Sequence, residues 1–499
     1  MRIALAAAAF VMAASCSEGG RPGAEASSME IRPPAVAGSF YPADGAVLSS
    51  LVDSLVDAAD PPAIPAGTIV AGVAPHAGYV FSAPTAALLY RCLRGRRYDT
   101  VYVIAPAHTA PVLGFSVYDG GPFLTPLGAV EVDTAAARRL ARAHPSCSRG
   151  GPEHAGEHAV EVQLPFLQSV LEPGWRLVPV LAGSTDPNSV RLLAELLYAE
   201  SAHAAILVIA SSDLSHYPPE ALARASDSVT MTAWSTLPME GFLDATSQAR
   251  LPRGVETFAC GRVPMAVVLA YSELFGNAER TVLGMASSAD AGGDPEAVVG
   301  YASAVVTADP AAARAPLSAE TRLALCRIVE ENLAAAATRS SRPPLPAAEG
   351  DLGLLRGVFV TYTEGGLLRG CIGTIRPVYP VGAATAMMAW SAALEDPRFP
   401  AISAGELGSI EYEISVLTPL ELMEDPLSVR LGTDGLYIVR GGSSGVLLPQ
   451  VPGEVGWTTP EQFLEGLCEK AGLPPGSWAD GATIYRFQAE VFGPAQAAP

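Results

Sequence analysis

The stretch Ala205-Ile-Leu-Val-Ile-Ala-Ser-Ser-Asp-Leu-Ser-His216 joins an unbroken apolar run to a polar segment that ends in a histidine. Three similar apolar runs precede it in the chain, at residues 68–74, 100–105 and 176–181. Continuous apolar runs of this length are typical of parallel strands that helices cover on both faces. Helical patterns lie between them, at residues 135–143, 160–171 and 190–198. The first half of the chain is therefore predicted to be an α/β sandwich with a largely parallel sheet.

Three of the four predicted strands lead straight into a histidine. His76 follows the first strand, His108 follows the second, and His216 ends the polar segment after the fourth. In open α/β sheets the ligand crevice lies beyond the carboxyl ends of the strands, so these three imidazoles are expected to converge there. Each histidine alone would more often be structural, but convergent histidines are typical of metal sites and acid/base sites.

Cys260 adds a thiol to this set. It stands just before the apolar helical segment 265–274, and Pro264 suits a first helical turn, where the helix dipole is expected to favour a thiolate. A thiolate with two imidazoles suits iron, copper or zinc, and it suits magnesium or calcium poorly. The alternative is a small buried cysteine that only packs, which is the common state of a free cysteine.

A second polar cluster consists of Glu157, His158 and Glu161. His158 and Glu161 are three residues apart, hence on one face of a helix. The two could bind a metal as a pair. We favour a supporting part instead, in which this cluster orients the ligand histidines or contacts the substrate.

A change of composition at residues 307–316 divides the chain. This stretch is rich in alanine and proline and lacks apolar periodicity, so it is predicted to be a linker. A first domain is expected at residues 29–306 and a second at residues 317–495.

The second half mixes strand and helix signals. A helix is expected from Ser318 onward, followed by a long loop at residues 338–350. Thr459, Pro460 and Gln462 have the order of a capping box with proline at the first helical position. Strand-like segments lie at residues 357–362, 411–416 and 435–439. The second half is therefore predicted to be α+β.

Composition excludes several classes of function. The chain of 499 residues carries a formal net charge of −20, from 31 basic and 51 acidic residues. Binding to nucleic acid is not expected, because phosphate contacts need clustered lysine and arginine. The single lysine, Lys470, excludes a Walker A phosphate loop, which needs a Gly-Lys pair.

Residues 1–28 have the features of a targeting segment. Arg2 precedes an apolar run at residues 3–14, which is too short to span a bilayer, and small residues then lead to Cys16. This order resembles a bacterial lipoprotein signal, in which Cys16 would carry the lipid. The protein is then expected on a bacterial membrane, at the outer membrane or the periplasmic face, and held there only by its lipid anchor. The alternative is a cytoplasmic protein whose translation starts at Met29.

The first half also resembles the Memo family, which is similar in fold to the class III extradiol dioxygenases. The resemblance rests on six segments: residues 32–42, 75–82, 157–165, 211–216, Cys260-Gly261 and 299–303. It implies that His76, His108 and Cys260 bind one iron or copper ion, with zinc less favoured. It also implies that His216 is an acid/base histidine, which we expect Asp213 to orient.

The second half resembles the AMMECR domain through Leu368-Arg-Gly-Cys-Ile-Gly-Thr374. Its glycines are expected to place Arg369 and Cys371 on a tight loop; the alternative is a turn at a strand edge with a buried cysteine. Bacterial genes of the two families resemble members of a set, the AmmeMemoRadiSam system, that includes a radical S-adenosylmethionine (radical SAM) protein. The resemblance therefore implies a radical SAM partner for this chain.

Two functions of different classes follow from these observations. The favoured one is a metal-dependent redox protein, an oxidoreductase of the dioxygenase type, that acts on a small molecule or a peptide. The other is an adaptor without catalysis, whose pocket binds a peptide or an anionic group. A soft thiolate beside imidazoles favours the first, because a scaffold does not need that ligand set.

Overall fold

The computed structural model describes residues 31–440 and 443–497. The expected targeting segment, with Cys16, lies outside the described residues. Within them, no helix has both the length and the apolar character needed to cross a membrane.

Residues 31–308 form a large sheet with helices on both faces and a separate two-stranded sheet, which consists of the fourth and fifth strands. The strands are β1 (Thr68–Ala74), β2 (Thr100–Pro106), β3 (Phe115–Val117), β4 (Phe123–Thr125), β5 (Gly128–Val130), β6 (Cys147–Arg149), β7 (Arg176–Ala182), β8 (Ile206–Ser211), β9 (Glu279–Ser287) and β10 (Gly300–Ala308). The helices are α1 (Gly45–Ala58), α2 (Tyr79–Leu93), α3 (Thr134–Ala143), α4 (His158–Glu161), α5 (Leu164–Val170), α6 (Pro187–Glu200), α7 (Glu220–Thr236), α8 (Met239–Ala245) and α9 (Arg262–Glu273).

The four strands predicted from apolar runs form the centre of an eight-stranded sheet. Its order is β6-β3-β7-β2-β8-β1-β10-β9, and β7, β2, β8 and β1 run parallel to one another. Side chains alternate between two cores: Tyr102 and Ile104 of β2 face one, and Val101 and Val103 face the other. Burial on both faces explains why these strands are continuously apolar. The prediction of an α/β first half is confirmed.

The helical pattern at residues 160–171 is divided between α4 and α5. Pro165 stands in the first turn of α5. Proline has no amide N–H, so it cannot donate to the carbonyl of Glu161 and continue the preceding helix. The prediction of one helix at residues 160–171 is therefore wrong, and two short helices form there instead.

The stretch predicted as a linker is packed against the first domain. Its first two residues complete β10, and α10 (Pro310–Arg314) follows, with the Asp309 side chain accepting hydrogen bonds from the Ala311 and Ala312 amides. Ala313 is buried, and the Arg314 guanidinium lies 4.4 Å above the Tyr198 ring. The start of α10 can be recognised in the sequence, because Asp309 is a favourable capping residue and Pro310 suits the first helical position.

The second domain contains two four-stranded sheets and their helices, so the α+β prediction is confirmed. The sheets have the orders β12-β11-β13-β18 and β14-β17-β15-β16. The elements are α11 (Ala319–Ala337), β11 (Val358–Glu364), β12 (Leu367–Thr374), α12 (Val381–Leu394), β13 (Ile410–Leu417), β14 (Glu421–Leu422), β15 (Gly435–Arg440), β16 (Ser443–Leu447), α13 (Val451–Val455), α14 (Pro460–Lys470), β17 (Thr483–Phe487), β18 (Ala489–Phe492) and α15 (Pro494–Ala497). The predicted capping box at Thr459 is present at the start of α14.

Arg369 and Cys371 lie within the edge strand β12, not on a tight loop. The turn comes earlier, at Gly365 and Gly366, where φ is 57° and 80°. These two adjacent glycines take the left-handed conformations that the β11–β12 connection requires. The glycines that flank Cys371 therefore belong to the strand. The strand edge of the alternative is found, but the motif is not a turn and Cys371 is half-buried, not buried.

Candidate metal centre

Three histidines meet at the carboxyl ends of the parallel strands. His76 follows β1, His108 follows β2, and His158 is the first residue of α4. One ring nitrogen from each of the three lies within 4.8 Å of the others. Because β1 and β2 run in the same direction, their last residues reach the same edge of the sheet. The convergence expected for His76 and His108 is therefore found.

Cys260 lies beside His76, with its Sγ atom 3.2 Å from the His76 Nε2 atom. The backbone amides of Cys260 and Gly261 bond to the Asp213 carbonyl and the Ser212 hydroxyl, at 3.2 and 3.0 Å. A side chain at Gly261 would overlap the Ser211 carbonyl oxygen. Glycine is required here because α9 begins so close to the end of β8.

Glu157 orients His108, as expected of a supporting residue. Its carboxylate accepts from the His108 amide at 2.6 Å and lies 3.0 Å from His108 Nδ1. A carboxylate can only accept, so Nδ1 carries the proton and Nε2 keeps its lone pair. Burial raises the pKa of Glu157, but the hydrogen bonds from His108 and from the Ala159 amide outweigh that effect and lower it to about 2.

His158 lies in the histidine group itself, although its sequence position favoured a supporting part. Its ring stacks on His108 with 5.0 Å between ring centres, and the Phe40 ring also contacts it, with 4.8 Å between ring centres. Glu157 accepts from the Ala159 amide at the start of α4, which holds the first residue of this helix at the centre. The only sequence feature that points to this position of His158 is that it directly follows Glu157.

Glu161 has a different place from His158. Its carboxylate is paired with Arg32 and accepts from the Tyr41 hydroxyl and from the Ala35 and Val36 amides. All of these groups belong to the segment 32–41. Glu161 therefore fixes that N-terminal segment to α4, and the expected contact with a ligand histidine is replaced by this anchor.

Asp213 contacts His76 and does not orient His216. Its Oδ1 atom accepts from the His76 amide at 2.8 Å, and its Oδ2 atom is 4.0 Å from His76 Nε2. The His216 Nδ1 atom is instead 2.8 Å from the Leu214 carbonyl oxygen. That carbonyl can only accept, so the local backbone holds the ring, with Nδ1 protonated. The expected Asp213–His216 contact is corrected accordingly.

Burial controls the charge states at this site. It lowers the pKa of His76 well below its ordinary value, and the neighbouring His108, His158 and His216 lower it further. It also raises the pKa of the Cys260 thiol, and the Asp213 carboxylate adds to that rise. The thiolate expected from the helix dipole is therefore not favoured in the protein alone, because desolvation exceeds the dipole effect.

The donor set fits a transition-metal ion. A tetrahedral ion with bonds of about 2.0 to 2.3 Å keeps its ligand atoms roughly 3.5 Å apart. The His76–Cys260 separation of 3.2 Å is close to that value, whereas the three imidazole nitrogens, within 4.8 Å of one another, would have to move closer together to bind one ion. Imidazole and thiol ligands suit iron, copper and zinc. His76, His108 and His158 are the residues that could hold such an ion; Cys260 contacts His76 but lies outside the group whose ligand atoms are all within 4.8 Å of one another.

Arg369 and Cys371 belong to the second domain and are bonded there. Arg369 donates to Glu406 at 2.8 Å and to the Pro400 carbonyl at 2.7 Å. The Cys371 amide donates to the Asp396 carboxylate at 2.8 Å. The structure does not bring this pair to the histidine group.

Two protein families match separate parts of the chain. Residues 32–305 match the family described as Memo-like protein, and residues 323–492 match the family described as AMMECR1. A MEMO1 family protein of Methanopyrus kandleri is 34% identical over 287 residues, covering 55% of this chain and 98% of that protein. A protein of Thermococcus onnurineus is 50% identical over 147 residues, covering 27% of this chain and 71% of that protein.

Solved structures are also similar to parts of the chain. The crystal structure of PH0010 from Pyrococcus horikoshii is 39% identical and covers 34% of this chain and 88% of that one, with a TM-score of 0.32. The family matches, together with the relative from Methanopyrus kandleri, confirm both resemblances drawn from the sequence motifs. The chain belongs to the Memo-like protein family and carries an AMMECR1 domain in its second half.

Proposed function

We propose that the Memo-like domain binds one iron or copper ion and acts as a metal-dependent redox protein. The observation that carries this proposal is the meeting of three imidazole nitrogens within 4.8 Å of one another, with the Cys260 thiol 3.2 Å from one of them. Soft and borderline ligands at one point favour a redox-active transition metal over magnesium or calcium.

We place His76 and His108 in the ligand set, since they belong both to the group of three histidines and to the set implied by the family resemblance. Cys260 and His158 are the two candidates to complete it. The His108 and His158 side chains are 32% and 20% exposed, whereas His76 is 2% exposed. An ion held at this position would therefore be anchored in the interior by His76 and reachable from solvent beside His108 and His158.

The ion, when bound, supplies redox and Lewis-acid chemistry; the rest of the chemistry belongs to the chain. His216 holds its Nδ1 proton on the Leu214 carbonyl, which leaves Nε2 available to take a proton from a substrate and return it. Glu157 keeps the His108 ring oriented through the carboxylate contact. Tyr217, next to His216, is 57% exposed and offers an aromatic surface beside the site.

Metal content of single variants tests the proposal. The full-length chain is loaded with iron(II) without oxygen, or with copper, and the metal per chain is counted after removal of the excess. The wild type is expected to retain about one ion. His76→Ala and His108→Ala are expected to lose it, whereas His144→Ala, a control outside the group, is expected to keep it. A His76→Ala, Cys260→Ala double variant that keeps full stoichiometry would exclude this site.

The same experiment identifies the ligand that completes the set. If Cys260→Ala loses the ion and His158→Ala keeps it, the set is His76, His108 and Cys260. The reverse result assigns the set to the three histidines. Loss in both variants indicates four ligands.

A further inference from the structure

A buried chain of hydrogen bonds leads from His76 away from the metal centre. The His76 Nδ1 atom is 2.9 Å from the Ser211 Oγ atom, and the Gln163 Nε2 atom is 2.8 Å from the same oxygen. The Tyr90 hydroxyl donates to Gln163 Oε1 at 2.6 Å. These four side chains are at most 2% exposed, so each polar group must be satisfied by the others or by the backbone.

Two backbone carbonyls determine which group donates and which accepts in this series of hydrogen bonds. The Pro75 carbonyl oxygen is 3.0 Å from Gln163 Nε2, and the Ala159 carbonyl oxygen is 2.7 Å from Ser211 Oγ. A carbonyl oxygen accepts hydrogen bonds and cannot donate them. The group that faces each carbonyl must therefore be a donor.

The Pro75 carbonyl fixes the orientation of the Gln163 amide. Its NH₂ group must face Pro75, and the second hydrogen of that group points to Ser211 Oγ. The amide oxygen then faces Tyr90, whose hydroxyl is the donor of that bond. In the opposite orientation two acceptors would face each other at Pro75, so this orientation is the stable one.

The Ala159 carbonyl takes the only hydrogen of Ser211. A serine hydroxyl has one hydrogen and two lone pairs, and one lone pair already accepts from Gln163. Towards His76 it can therefore only accept, which makes His76 Nδ1 the donor. Ser211 then makes three hydrogen bonds, its full capacity.

We infer that Ser211, Gln163 and Tyr90 are positioning residues that hold His76 with its proton on Nδ1 and the lone pair of Nε2 turned to the metal centre. The inference rests on the proposed function in one respect only, namely that the Nε2 lone pair binds a metal ion. That lone pair lies beside the Cys260 Sγ atom, at 3.2 Å. Glu157 at His108 and the Leu214 carbonyl at His216 impose the same proton position on their rings.

Nitrogen NMR on the metal-free, full-length chain tests the inference directly. With ¹⁵N in the histidine rings, the His76 signals are identified by their loss in His76→Gln. His76 is expected to show a protonated Nδ1 and an unprotonated Nε2, and Ser211→Ala is expected to change this to a mixture of both forms. A His76 ring that carries its proton on Nε2 in the wild type overturns the inference, whether or not the chain binds metal.

Metal affinity supplies a second measurement, by competition with a chelator for the ion that the wild type binds. Ser211→Ala is expected to weaken binding about 10- to 100-fold, the range for residues that orient a metal ligand. Ser272→Ala is the matched control, because Ser272 is also buried and its hydroxyl also donates to a carbonyl, that of Leu269, at 2.7 Å. Its affinity is expected to equal that of the wild type. Equal losses in the two variants would contradict a positioning role.

Tyr90→Phe keeps the inference testable if Ser211→Ala does not fold. This change removes one hydroxyl and leaves the aromatic ring, which stacks on Phe166, in place. Gln163 then loses the donor to its oxygen, and a smaller loss of metal affinity is expected than for Ser211→Ala. Unchanged affinity, with an unchanged His76 proton position in a folded Tyr90→Phe protein, removes Tyr90 from the set of positioning residues.

Discussion

Asp227 is a buried carboxylate next to the segment that carries His216. It is 3% exposed, and its Oδ1 atom accepts from the Ser215 amide at 3.0 Å. Burial raises its pKa to about 6, and the hydrogen bond from the Ser215 amide lowers the pKa only in part. Because the folded state holds this proton more tightly than the unfolded state, stability is expected to fall as the pH rises from about 4 to about 6.

Asp227→Asn is expected to remove that pH dependence and to stabilise the protein above pH 6. A shift of about two pKa units corresponds to roughly 3 kcal/mol, which is an upper limit for the gain at pH 8. The change in the free energy of unfolding is measured by urea unfolding from pH 4 to pH 8. The exposed control Asp53→Asn is expected to stay within about 0.5 kcal/mol of the wild type at every pH. A less stable Asp227→Asn protein at pH 8 would mean that the ionised carboxylate is required.

His216→Ala separates proton transfer from metal binding. The His216 ring is held by the Leu214 carbonyl and is not part of the group formed by His76, His108 and His158. The variant is therefore expected to keep about one ion per chain, as measured by metal analysis, and to lose any turnover. Loss of the ion would make His216 a ligand and Cys260 a structural thiol.

Residue type and strand position predicted part of the site. His76 and His108 could be found because each follows an apolar strand, and parallel strands end at one edge. The place of His158 could not be found, because α4 has only four residues and its position depends on the Glu157 and Glu161 contacts. Likewise the Asp213 contact with His76 depends on tertiary approach, which sequence spacing does not report.

At the scale of elements, burial explains which strands can be predicted from the sequence and which cannot. The central strands are apolar throughout because both of their faces are covered. β9 is only partly buried and has no such run, and β10 extends into the stretch 307–316 that resembles a linker in composition. The sequence therefore does not predict the antiparallel pair β9–β10, although this pair completes one side of the sheet beside β1.

Gly261→Ala tests the close approach of α9 to β8. The added methyl group would overlap the Ser211 carbonyl oxygen and meet the Ser212 side chain, so α9 or the end of β8 must move. Overpacking of this kind costs about 1 to 3 kcal/mol, and the movement displaces Cys260, the adjacent residue. A lower melting temperature and weaker metal binding are expected together. Gly241→Ala, in α8, is the control for stability, because a methyl group there would first meet the Leu237 side chain, at 3.2 Å. Unchanged metal affinity in Gly261→Ala would indicate that Cys260 takes no part in binding the metal.

At the scale of the whole molecule, the two domains share buried contacts. Arg376 donates two hydrogen bonds to Glu195 of α6, at 3.1 and 3.2 Å, and Glu195 is 8% exposed. Tyr485 of β17 packs in the core of the first domain and donates to the Ala143 carbonyl. Leu354 lies against Gly276, just after α9. Such contacts are typical of domains that unfold together, whereas loosely joined domains move independently.

The full-length chain is therefore expected to unfold in one calorimetric transition, and Arg376→Ala is expected to weaken that coupling. Burial raises the pKa of Glu195, and Arg376 is the partner that opposes this effect most. Removing one member of a fully buried ion pair costs about 3 to 5 kcal/mol, because the other charge stays buried without compensation. Arg376 is 29% exposed and only Glu195 is buried, so a smaller loss is expected here. The melting temperature should fall and the transition should broaden or split.

Two further variants show whether the buried pair is the cause. Replacing both partners, in Glu195→Leu with Arg376→Leu, is expected to recover most of the loss, since no unpaired charge remains in the interface. Arg440→Ala is the matched control, because its pair with Asp480 lies within the second domain and Asp480 is 88% exposed. A loss of at most about 1 kcal/mol is expected there. If Arg376→Ala and Arg440→Ala lower stability equally, the buried pair does not join the domains, and the apolar contacts of Tyr485 and Leu354 must hold them together without it.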